Sequence, residues 1–230
     1  MERVVNILAI ETATSACAIG LARDARREVR VLDHGRRHTE VLAVGIEALL
    51  EDMDLGARDL QRVVVDVGPG LFTGLRVGVA TAIGLGEGLG CPLVSASSLE
   101  LLAHGARLSG VRATVVSAVD GRRGEVFVQT FRVSDHDVLA LGPPEVTTAR
   151  SVVIEWATNG APVVFTGDGV ERYRRDFAAV PTATIFDQLV PSLEAALALG
   201  ETREPGGRVV PLYLREADAV ANFSTRERHP

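Results

Sequence analysis

A repeated strand pattern in the two halves of the chain constrains its fold more than any other feature. The segment ILAIETATSACAIGL in the first half aligns with VSAVDGRRGEVFVQT in the second, and Glu11 then falls on Asp120, 109 positions later. In both segments an acidic residue ends a buried strand, and a tight turn of small or polar residues leads into another strand. The simplest interpretation is two related halves, each with three strands followed by a helix-rich portion.

The rest of each half fits this repeat. In the first half, EVRVL predicts a third strand, and HTEVLAVGIEALLEDMDL predicts an amphipathic helix over 39–53 because its apolar residues recur every three or four positions. A buried strand, RVVVDV, then leads through a glycine loop into a helix over 73–89. In the second half we predict a helix and a strand in TTARSVVIEWATNGAPVVFTGDG, a helix in QLVPSLEAALALG that stops at Gly200, and a last strand in VVPLYLR.

Composition and charge exclude several classes of protein. The chain has the residue balance of a globular protein, and its net charge of −6 argues against a stand-alone RNA-binding protein. All 24 basic residues are arginine, which excludes a phosphate-loop lysine and Schiff-base chemistry. Cys17 and Cys91 form no C-x-x-C motif, so we expect neither a disulfide framework nor a thiolate zinc site. No segment approaches the roughly 20 apolar residues that span a bilayer, and we expect a cytoplasmic protein without membrane contact.

The glycine-rich stretch DVGPGLFTGLRVGVATAIGLGEGLG, residues 66–90, invites comparison with phosphate-binding loops. A Walker loop is excluded, because Leu75 and Arg76 follow Gly74 where lysine and serine or threonine are required. A dinucleotide-binding loop built on Gly68, Gly70 and Gly74 stays open as a weak match, since no acidic residue ends a second strand about 20 positions later.

A third interpretation concerns the helix that follows the loop. Small residues recur at every fourth position and would form a stripe without side chains along one face, at Gly74, Gly78, Ala82, Gly86 and Gly90. Each interior glycine costs about 1 kcal/mol relative to alanine, and close approach of a second helix would offset the loss. That helix would be the one over 39–53 or the same surface of a second chain. A transmembrane dimer is disfavoured by Arg76 and Glu87 inside the segment.

Several segments resemble the TsaB (YeaZ) family, which supports threonylcarbamoyl modification of adenosine in tRNA. GPGLFTGLRVG is similar to the family signature GPGSFTGLRIG, with Leu71 in place of the usual serine. ILAIETATSACAIGL, RRHTEVL, VDGRRGEVF and VVPLYLR also resemble family segments. The resemblance covers about residues 4–216 and implies a two-lobed α/β fold of the actin, sugar kinase and Hsp70 (ASKHA) type. The lobes would span 1–108 and 109–216, followed by a polar tail at 217–230.

The resemblance also implies where a nucleotide would bind. In active members of this fold the turns of the two hairpins clasp the phosphates of ATP, and a later glycine-rich segment contacts the nucleotide. The corresponding residues here are Glu11, Thr12, Thr14, Asp120, Gly121, Gly167, Asp168 and Gly169. Tight structural turns favour the same residue types, so a purely structural role stays open. We expect no cofactor, with ATP or ADP as the alternative.

His34 and His38 form an H-x-x-x-H pair of the kind with which the paralogous transferase TsaD holds a metal. The pair precedes the first helix and lies beside Arg36 and Arg37, whose charges oppose cation binding. Two imidazoles without a carboxylate cluster also make a weak site. We therefore expect no metal site, and no catalytic set of residues is evident.

The resemblance implies a scaffold rather than an enzyme. It implies pairing with TsaD through helices of the N-terminal lobe and joint action with the ATPase TsaE in modifying adenosine 37 of tRNA, with tRNA contacted only indirectly. The interface residues in that arrangement are Leu42, Ile46, Leu49, Gly74, Leu75, Gly78, Ala82 and Gly86. When the protein is alone, a homodimer through the same surface is expected.

Two other functions stay open. A stand-alone ATPase or kinase of the same fold would need an acidic residue to hold magnesium, for which Asp120 and Glu11 are the candidates. A direct RNA-binding protein would use the arginine clusters Arg122-Arg123 and Arg172-Tyr173-Arg174-Arg175.

Overall fold

The structure, a computed structural model, describes residues 6–33, 38–206 and 208–215. Its strands form two sheets, one in each half of the chain. The strands of the first half are β1 (Ile7–Glu11), β2 (Cys17–Arg23), β3 (Arg26–Asp33), β4 (Arg62–Asp66) and β5 (Leu93–Ala96). Those of the second half are β6 (Thr114–Arg122), β7 (Glu125–Val133), β8 (Val138–Ala140), β9 (Glu145–Thr148), β10 (Val163–Thr166) and β11 (Ala183–Phe186).

The helices begin and end largely where local signals place them. They are α1 (His38–Asp52), α2 (Phe72–Leu89), α3 (Ser98–Leu108), α4 (Ala149–Asn159), α5 (Asp168–Arg172), α6 (Arg174–Phe177) and α7 (Leu193–Thr202). Side chains of Ser97, Thr148 and Ser192 accept hydrogen bonds from the first turns of α3, α4 and α7. Gly90 ends α2 in the left-handed conformation. None of the helices described is long and apolar enough to cross a membrane.

The two sheets repeat one topology. The first has the strand order β3-β2-β1-β4-β5, and the second has the corresponding order β8-β7-β6-β10-β11, with β9 pairing separately with β7. In both, the opening hairpin is antiparallel, and the later strands join its first strand in parallel. The predicted two-lobed α/β fold, in which each lobe opens with a β-hairpin, is confirmed.

Helices cover both faces of each sheet, and the two lobes exchange one helix. In the first lobe, α1 and α2 pack on one face and α7 on the other. In the second, α4 to α6 pack on one face and α3 on the other. Because α3 precedes the predicted boundary at 108/109 and α7 follows it, a cut there would separate both helices from the sheets that they cover. α3 and α7 also contact each other.

Two predicted features have a different outcome. α7 continues past Gly200 to Thr202, and glycine is needed at 200 because a Cβ there would lie 2.7 Å from a Val64 methyl carbon in β4. VVPLYLR forms no strand within residues 208–215. It is attached instead by a 2.7 Å hydrogen bond from the N–H of Leu212 to the carbonyl of Val67. The predicted tail at 217–230 lies outside the described residues.

Candidate functional site: the hairpin turns and the glycine loop

Hydrogen bonds within the protein close the turn between β1 and β2. Glu11 ends β1 and is fully buried. Its Oε1 accepts hydrogen bonds from the N–H and the hydroxyl of Thr14 at 2.9 and 2.7 Å. The hydroxyl of Thr12 donates to the carbonyl of Gly74 in α2 at 2.8 Å. All three residues of this turn that were predicted to contact a nucleotide are therefore buried and hydrogen-bonded within the protein.

The glycine loop between β4 and α2 lies directly on this turn. The N–H of Leu71 donates to the carbonyl of Ala13 at 2.6 Å. A Cβ on Gly70 would stand only 2.0 Å from that same oxygen. Glycine is needed at position 70 because the backbone of the first turn fills the space where a side chain would begin. The loop packs on the protein's own turn.

A pair of buried carboxyl groups lies where β1 and β4 end. The parallel register of these strands places Glu11 beside Asp66, on strands about 4.8 Å apart. Oδ1 of Asp66 accepts hydrogen bonds from the N–H of Gly68 at 2.7 Å and from the hydroxyl of Ser98 at 2.8 Å. Burial, followed by the negative charge of Glu11, raises the pKa of Asp66 well above its ordinary value. Asp66 thus connects the first turn, the glycine loop and the start of α3.

The turn between β6 and β7 is built around two aspartates. Oδ1 of Asp168 accepts a hydrogen bond from the N–H of Asp120 at 2.9 Å. The carboxylate of Asp120 accepts one from the N–H of Arg122 at 2.9 Å and forms an ion pair with its guanidinium at 3.0 Å. Burial raises the pKa of Asp168 to about 6, and the negative charges of Asp120 and Glu11 act in the same direction.

The predicted glycines of the second lobe are held by contacts with nearby backbone. Gly167 has φ +112, and a Cβ there would lie 2.1 Å from the carbonyl oxygen of Ala118 in β6. A Cβ on Gly169 would come within 2.9 Å of the backbone of the same strand, and one on Gly121 within 3.1 Å of the Glu125 carbonyl. Close packing against neighbouring backbone explains why glycine occupies all three positions.

A cleft of about 630 Å³ separates the glycine loop from the second turn. Gly70 and Leu71 line one side, and Asp120 and Gly121 line the other. Of the predicted nucleotide ligands, the structure brings only Asp120 and Gly121 to this cleft. Among the described residues, Glu11, Thr12, Thr14, Gly167, Asp168 and Gly169 are not part of its lining.

The predicted interface residues lie on the inner faces of α1 and α2. Seven of them are buried and Gly86 is half-buried within the chain itself, the seven being Leu42, Ile46, Leu49, Gly74, Leu75, Gly78 and Ala82. A Cβ on Gly78 would lie 2.2 Å from the hydroxyl oxygen of Thr12, and one on Gly86 would lie 2.8 Å from a methyl carbon of Leu93. The first sheet of the same chain and the turn after β1 fill the stripe, so the chain itself covers these positions.

Comparisons with known proteins agree with one another. A family model described as TsaD, tRNA N6-adenosine threonylcarbamoyltransferase, matches residues 33–221. The chain is 30% identical over 163 residues to the tRNA threonylcarbamoyladenosine biosynthesis protein TsaB of Escherichia coli strain K12, covering 67% of this chain and 71% of that protein. It is 28% identical over 226 residues to TsaB of Bacillus subtilis strain 168, covering 95% and 97%. The chain belongs to the TsaB family.

A solved relative confirms the TsaB fold. The structure of YeaZ from Pseudomonas aeruginosa superimposes with a TM-score of 0.79 at 24% identity, covering 91% of this chain and 100% of that one. In this TsaB protein the signature loop carries Leu71 as the N-cap residue of α2, and no side chain caps the helix there. The signature loop is therefore positioned by backbone contacts with the turn between β1 and β2.

Sequence reasoning missed four residues of the site. Asp66 and Ser98 link the loop to α3, and Phe72 and Tyr213 line the cleft between the lobes. A signal for Asp66 was present, because it ends a buried strand immediately before the glycine loop, as Glu11 ends β1. Tyr213 carried no such signal, since its segment was assigned to a strand.

The histidine pair and the second arginine cluster are the remaining candidates from the sequence. The histidine pair lies outside the residues whose side chains are described, and within those that are, no group of three or more His, Cys, Asp or Glu side chains could hold a metal ion. In the second arginine cluster, Arg174 lies 2.6 Å from both Glu171 and Asp187. Arg172 lies 3.6 Å from Asp120. Acidic neighbours therefore offset much of the positive charge of that cluster.

Proposed function

We propose that this protein is a non-catalytic subunit that pairs with a TsaD-like transferase in threonylcarbamoylation of adenosine 37 in tRNA. Its TsaB relatives are named for biosynthesis of threonylcarbamoyladenosine in tRNA, which implicates the chain in that process. A TsaE-like ATPase would act in the same assembly.

The closed first turn is the observation that carries the non-catalytic role. A phosphate clasp would need free donors and open space at the turn between β1 and β2. Here the hydroxyl of Thr12 is bonded to Gly74 at 2.8 Å, Thr14 is bonded to Glu11, and Gly70 lies against the carbonyl of Ala13. Opening the site would break these buried hydrogen bonds, each worth about 0.5–1.5 kcal/mol. This closure is an argument against the alternative of a stand-alone ATPase or kinase.

The docking surface for the transferase is the outer face of α1 and α2. This outer face combines exposed carboxylates, those of Glu47 and Glu87, with small or apolar exposed residues, namely Ala43, Val44, Ala48, Ala80, Gly84 and Gly88. Val44 is 65% exposed. The two helices contact each other, so their outer residues form one surface on the N-terminal lobe, the side that the family resemblance assigns to the partner.

Gly84 and Gly88 support an external partner. Within the part of the chain that the structure describes, a Cβ at either position would meet no atom within 4 Å, so no described contact accounts for glycine there. Glycine in a helix interior costs about 1 kcal/mol relative to alanine. Close approach of a partner helix would offset that cost through backbone contacts, as proposed from the sequence for the inner stripe.

Substitution of Gly84 tests this surface. Gly84→Leu should leave the fold intact, because the position is open, and should weaken binding to the TsaD-like transferase of the same organism by about 1–3 kcal/mol, or roughly 5- to 150-fold. Calorimetric titration of the purified proteins measures the affinity. Gly142→Leu is the control, since Gly142 is also open and lies in the other lobe.

Other results of these measurements would refute the docking surface, the partnership or the non-catalytic role. An unchanged affinity of the folded Gly84→Leu variant would refute the docking surface, and absence of binding by the wild-type chain would refute the partnership. ATP hydrolysis by the isolated chain would refute the non-catalytic role. If the wild-type chain is a dimer and Gly84→Leu makes it monomeric without affecting transferase binding, the surface belongs to a second copy.

A further inference from the structure

The strand β3 forms one edge of the first sheet, and no described strand pairs with its outer side. The strand order is β3-β2-β1-β4-β5, and β3 pairs with β2 alone among the strands described. It has eight residues, more than the roughly five or six of a typical strand. Natural proteins usually shorten, cover or bend such an edge, because its N–H and C=O groups are a template for pairing with another chain.

The hairpin register shows which residues of β3 direct their backbone groups outward. Arg23 and Arg26 flank the two-residue turn between β2 and β3 and face each other, so they form a hydrogen-bonded pair. Hydrogen-bonded and non-hydrogen-bonded pairs alternate along an antiparallel ladder. The N–H and C=O groups of Arg27, Val29 and Val31 therefore point away from β2.

The side chains of these three residues lie on the α7 face of the sheet. Arg27 forms an ion pair with Glu201 of α7 at 2.5 Å, and Val29 and Val31 lie on the same face because side chains alternate along a strand. Helix α7 leaves Val29 40% exposed and Val31 51% exposed. β-Branched side chains favour paired strands, so the edge offers two valines to a neighbouring strand.

The charged side chains between the valines lie on the opposite face, beside α1. Arg30 forms an ion pair with Asp52 of α1 at 2.8 Å. Glu28 accepts a 2.8 Å hydrogen bond from Nε of Arg30 and lies 3.5 Å from Arg26. Acidic groups of the same chain therefore offset the positive charge of β3, which would otherwise repel a second copy.

The charge pattern of β3 is self-complementary about Val29. A two-fold antiparallel pairing of two β3 strands must match outward residues with outward residues, and the longest overlaps are centred on Val29 or on Arg30. Centring on Val29 places Glu28 opposite Arg30 of the second copy, and Arg30 opposite Glu28. Centring on Arg30 sets two arginines directly opposite each other, which is destabilising; it also pairs Arg27, which Glu201 already holds, with Asp33.

We infer that β3 is an interface between two copies of this chain, which pair their β3 strands antiparallel about Val29 and so join their first sheets. The pairing adds backbone hydrogen bonds at Arg27, Val29 and Val31 of each copy, as in other cases of strand addition. One strand buries less than the roughly 1,200–2,000 Å² of a stable complex, so we expect a reversible dimer with a Kd of about 1–100 μM. The inference does not rest on the transferase partnership, which uses the outer face of α1 and α2.

Single cysteines in the full chain test the register. Val29→Cys puts two thiols on directly opposite residues with Cα atoms about 5.5 Å apart, within the range of a disulfide. Val31→Cys is the matched control, because it is more exposed but its two copies lie four residues apart along the strands, about 13 Å. Under mild oxidation Val29→Cys should form a covalent dimer on non-reducing gels at least 10-fold faster than Val31→Cys. Wild type is the blank, since Cys17 and Cys91 are buried.

Charge reversal tests the cross-strand pairs. Glu28→Arg and Arg30→Glu each set like charges opposite each other in a dimer of identical chains, so sedimentation equilibrium should show dimerisation at least 10-fold weaker than in wild type. An equimolar mixture of the two variants restores opposite charges at both pairs and should dimerise within about threefold of wild type. Misfolded variants would show no such recovery. Gly84→Leu in α2 is the control and should leave the dimer intact.

Several results would overturn the inference. These are a wild-type chain that stays monomeric up to about 300 μM, equal crosslinking of the two cysteine variants, unweakened dimerisation in either charge variant, and no recovery in their mixture. Loss of the dimer in Gly84→Leu but not in the charge variants would overturn it too and would assign the dimer to the outer face of α1 and α2. None of these results bears on transferase binding, which is titrated separately.

Discussion

At the scale of one residue, Asp66 connects the glycine loop to the start of α3 through its hydrogen bonds. One oxygen of its carboxyl group binds both the glycine loop at Gly68 and the start of α3 at Ser98. In the described part of the chain, the other oxygen and Oε2 of Glu11 have no hydrogen-bond partner. Two buried carboxyl groups side by side are stable when the pair keeps a proton, and burial together with the charge of Glu11 raises the pKa of Asp66 well above its ordinary value.

We expect Asp66→Asn to flatten the dependence of stability on pH. The pKa of Asp66 is higher in the folded state than its ordinary value of 3.8, so its stabilising contribution is full below that value and is lost as pH rises through the raised pKa. Asparagine keeps an oxygen for Gly68 and Ser98 and can donate to Glu11 without titrating. Urea unfolding from about pH 4 to about pH 9 should show the variant gaining stability relative to wild type as pH rises. A difference that is constant with pH would contradict this account, and Glu47→Gln, at an exposed carboxylate, is the control.

At the scale of the element, α2 carries two different stripes of small residues. The inner stripe is filled by the first sheet, as the Thr12 hydroxyl beside Gly78 shows. A Cβ at the outer positions Gly84 and Gly88 would meet none of the described residues within 4 Å. Small residues therefore serve packing inside the chain on one face of the helix, and only the other face can serve a partner.

A matched pair of substitutions in α2 distinguishes the two faces. Ala82 is fully buried, so Ala82→Leu should lower the free energy of unfolding by about 1–3 kcal/mol through overpacking. Gly84→Ala should raise it by about 0.4–1 kcal/mol, since the position is open and alanine restricts the unfolded chain. Urea denaturation followed by circular dichroism measures both. Equal effects of the two substitutions would mean that the burial of the inner stripe is misassigned.

At the scale of the whole molecule, the exchange of α3 and α7 couples the lobes. Each sheet buries one of its faces with a helix from the other half of the chain. A lobe without that helix would expose the apolar face of its central strands, a large loss relative to the 5–15 kcal/mol that stabilises a typical protein. The two lobes are therefore expected to unfold as one unit.

Trp156 provides a probe of this coupling. It is the only tryptophan of the chain and is buried in the core of the second lobe, whereas Leu197 in α7 is fully buried against the first sheet. Leu197→Ala should cost about 2–5 kcal/mol and should shift the Trp156 fluorescence transition as much as the circular dichroism transition. If the fluorescence midpoint stays in place while the circular dichroism midpoint moves, the lobes unfold independently. Val44→Ala, at an exposed position on α1, should shift neither.

Features that depend on neighbours along the chain could be predicted before the fold was known. The 109-residue repeat predicted two equivalent hairpins, and apolar periodicity predicted α1 and α2 to within a residue or two, because strand alternation and helical spacing are local properties. The signature around Gly68, Gly70 and Gly74 indicated the family. Within the candidate site, the sequence predicted that the turn after Glu11 is equivalent to the turn after Asp120.

The residues that cover each surface could not be predicted from local patterns. A helical pattern shows that Gly78 leaves a bare position, but not that the Thr12 hydroxyl fills it or that Gly84 stays open. The meeting of Glu11 with Asp66, and of Phe72 with Tyr213, joins segments far apart in sequence. Such contacts are set by how whole elements pack, because burial is a property of the assembled layers and not of any single stretch of residues.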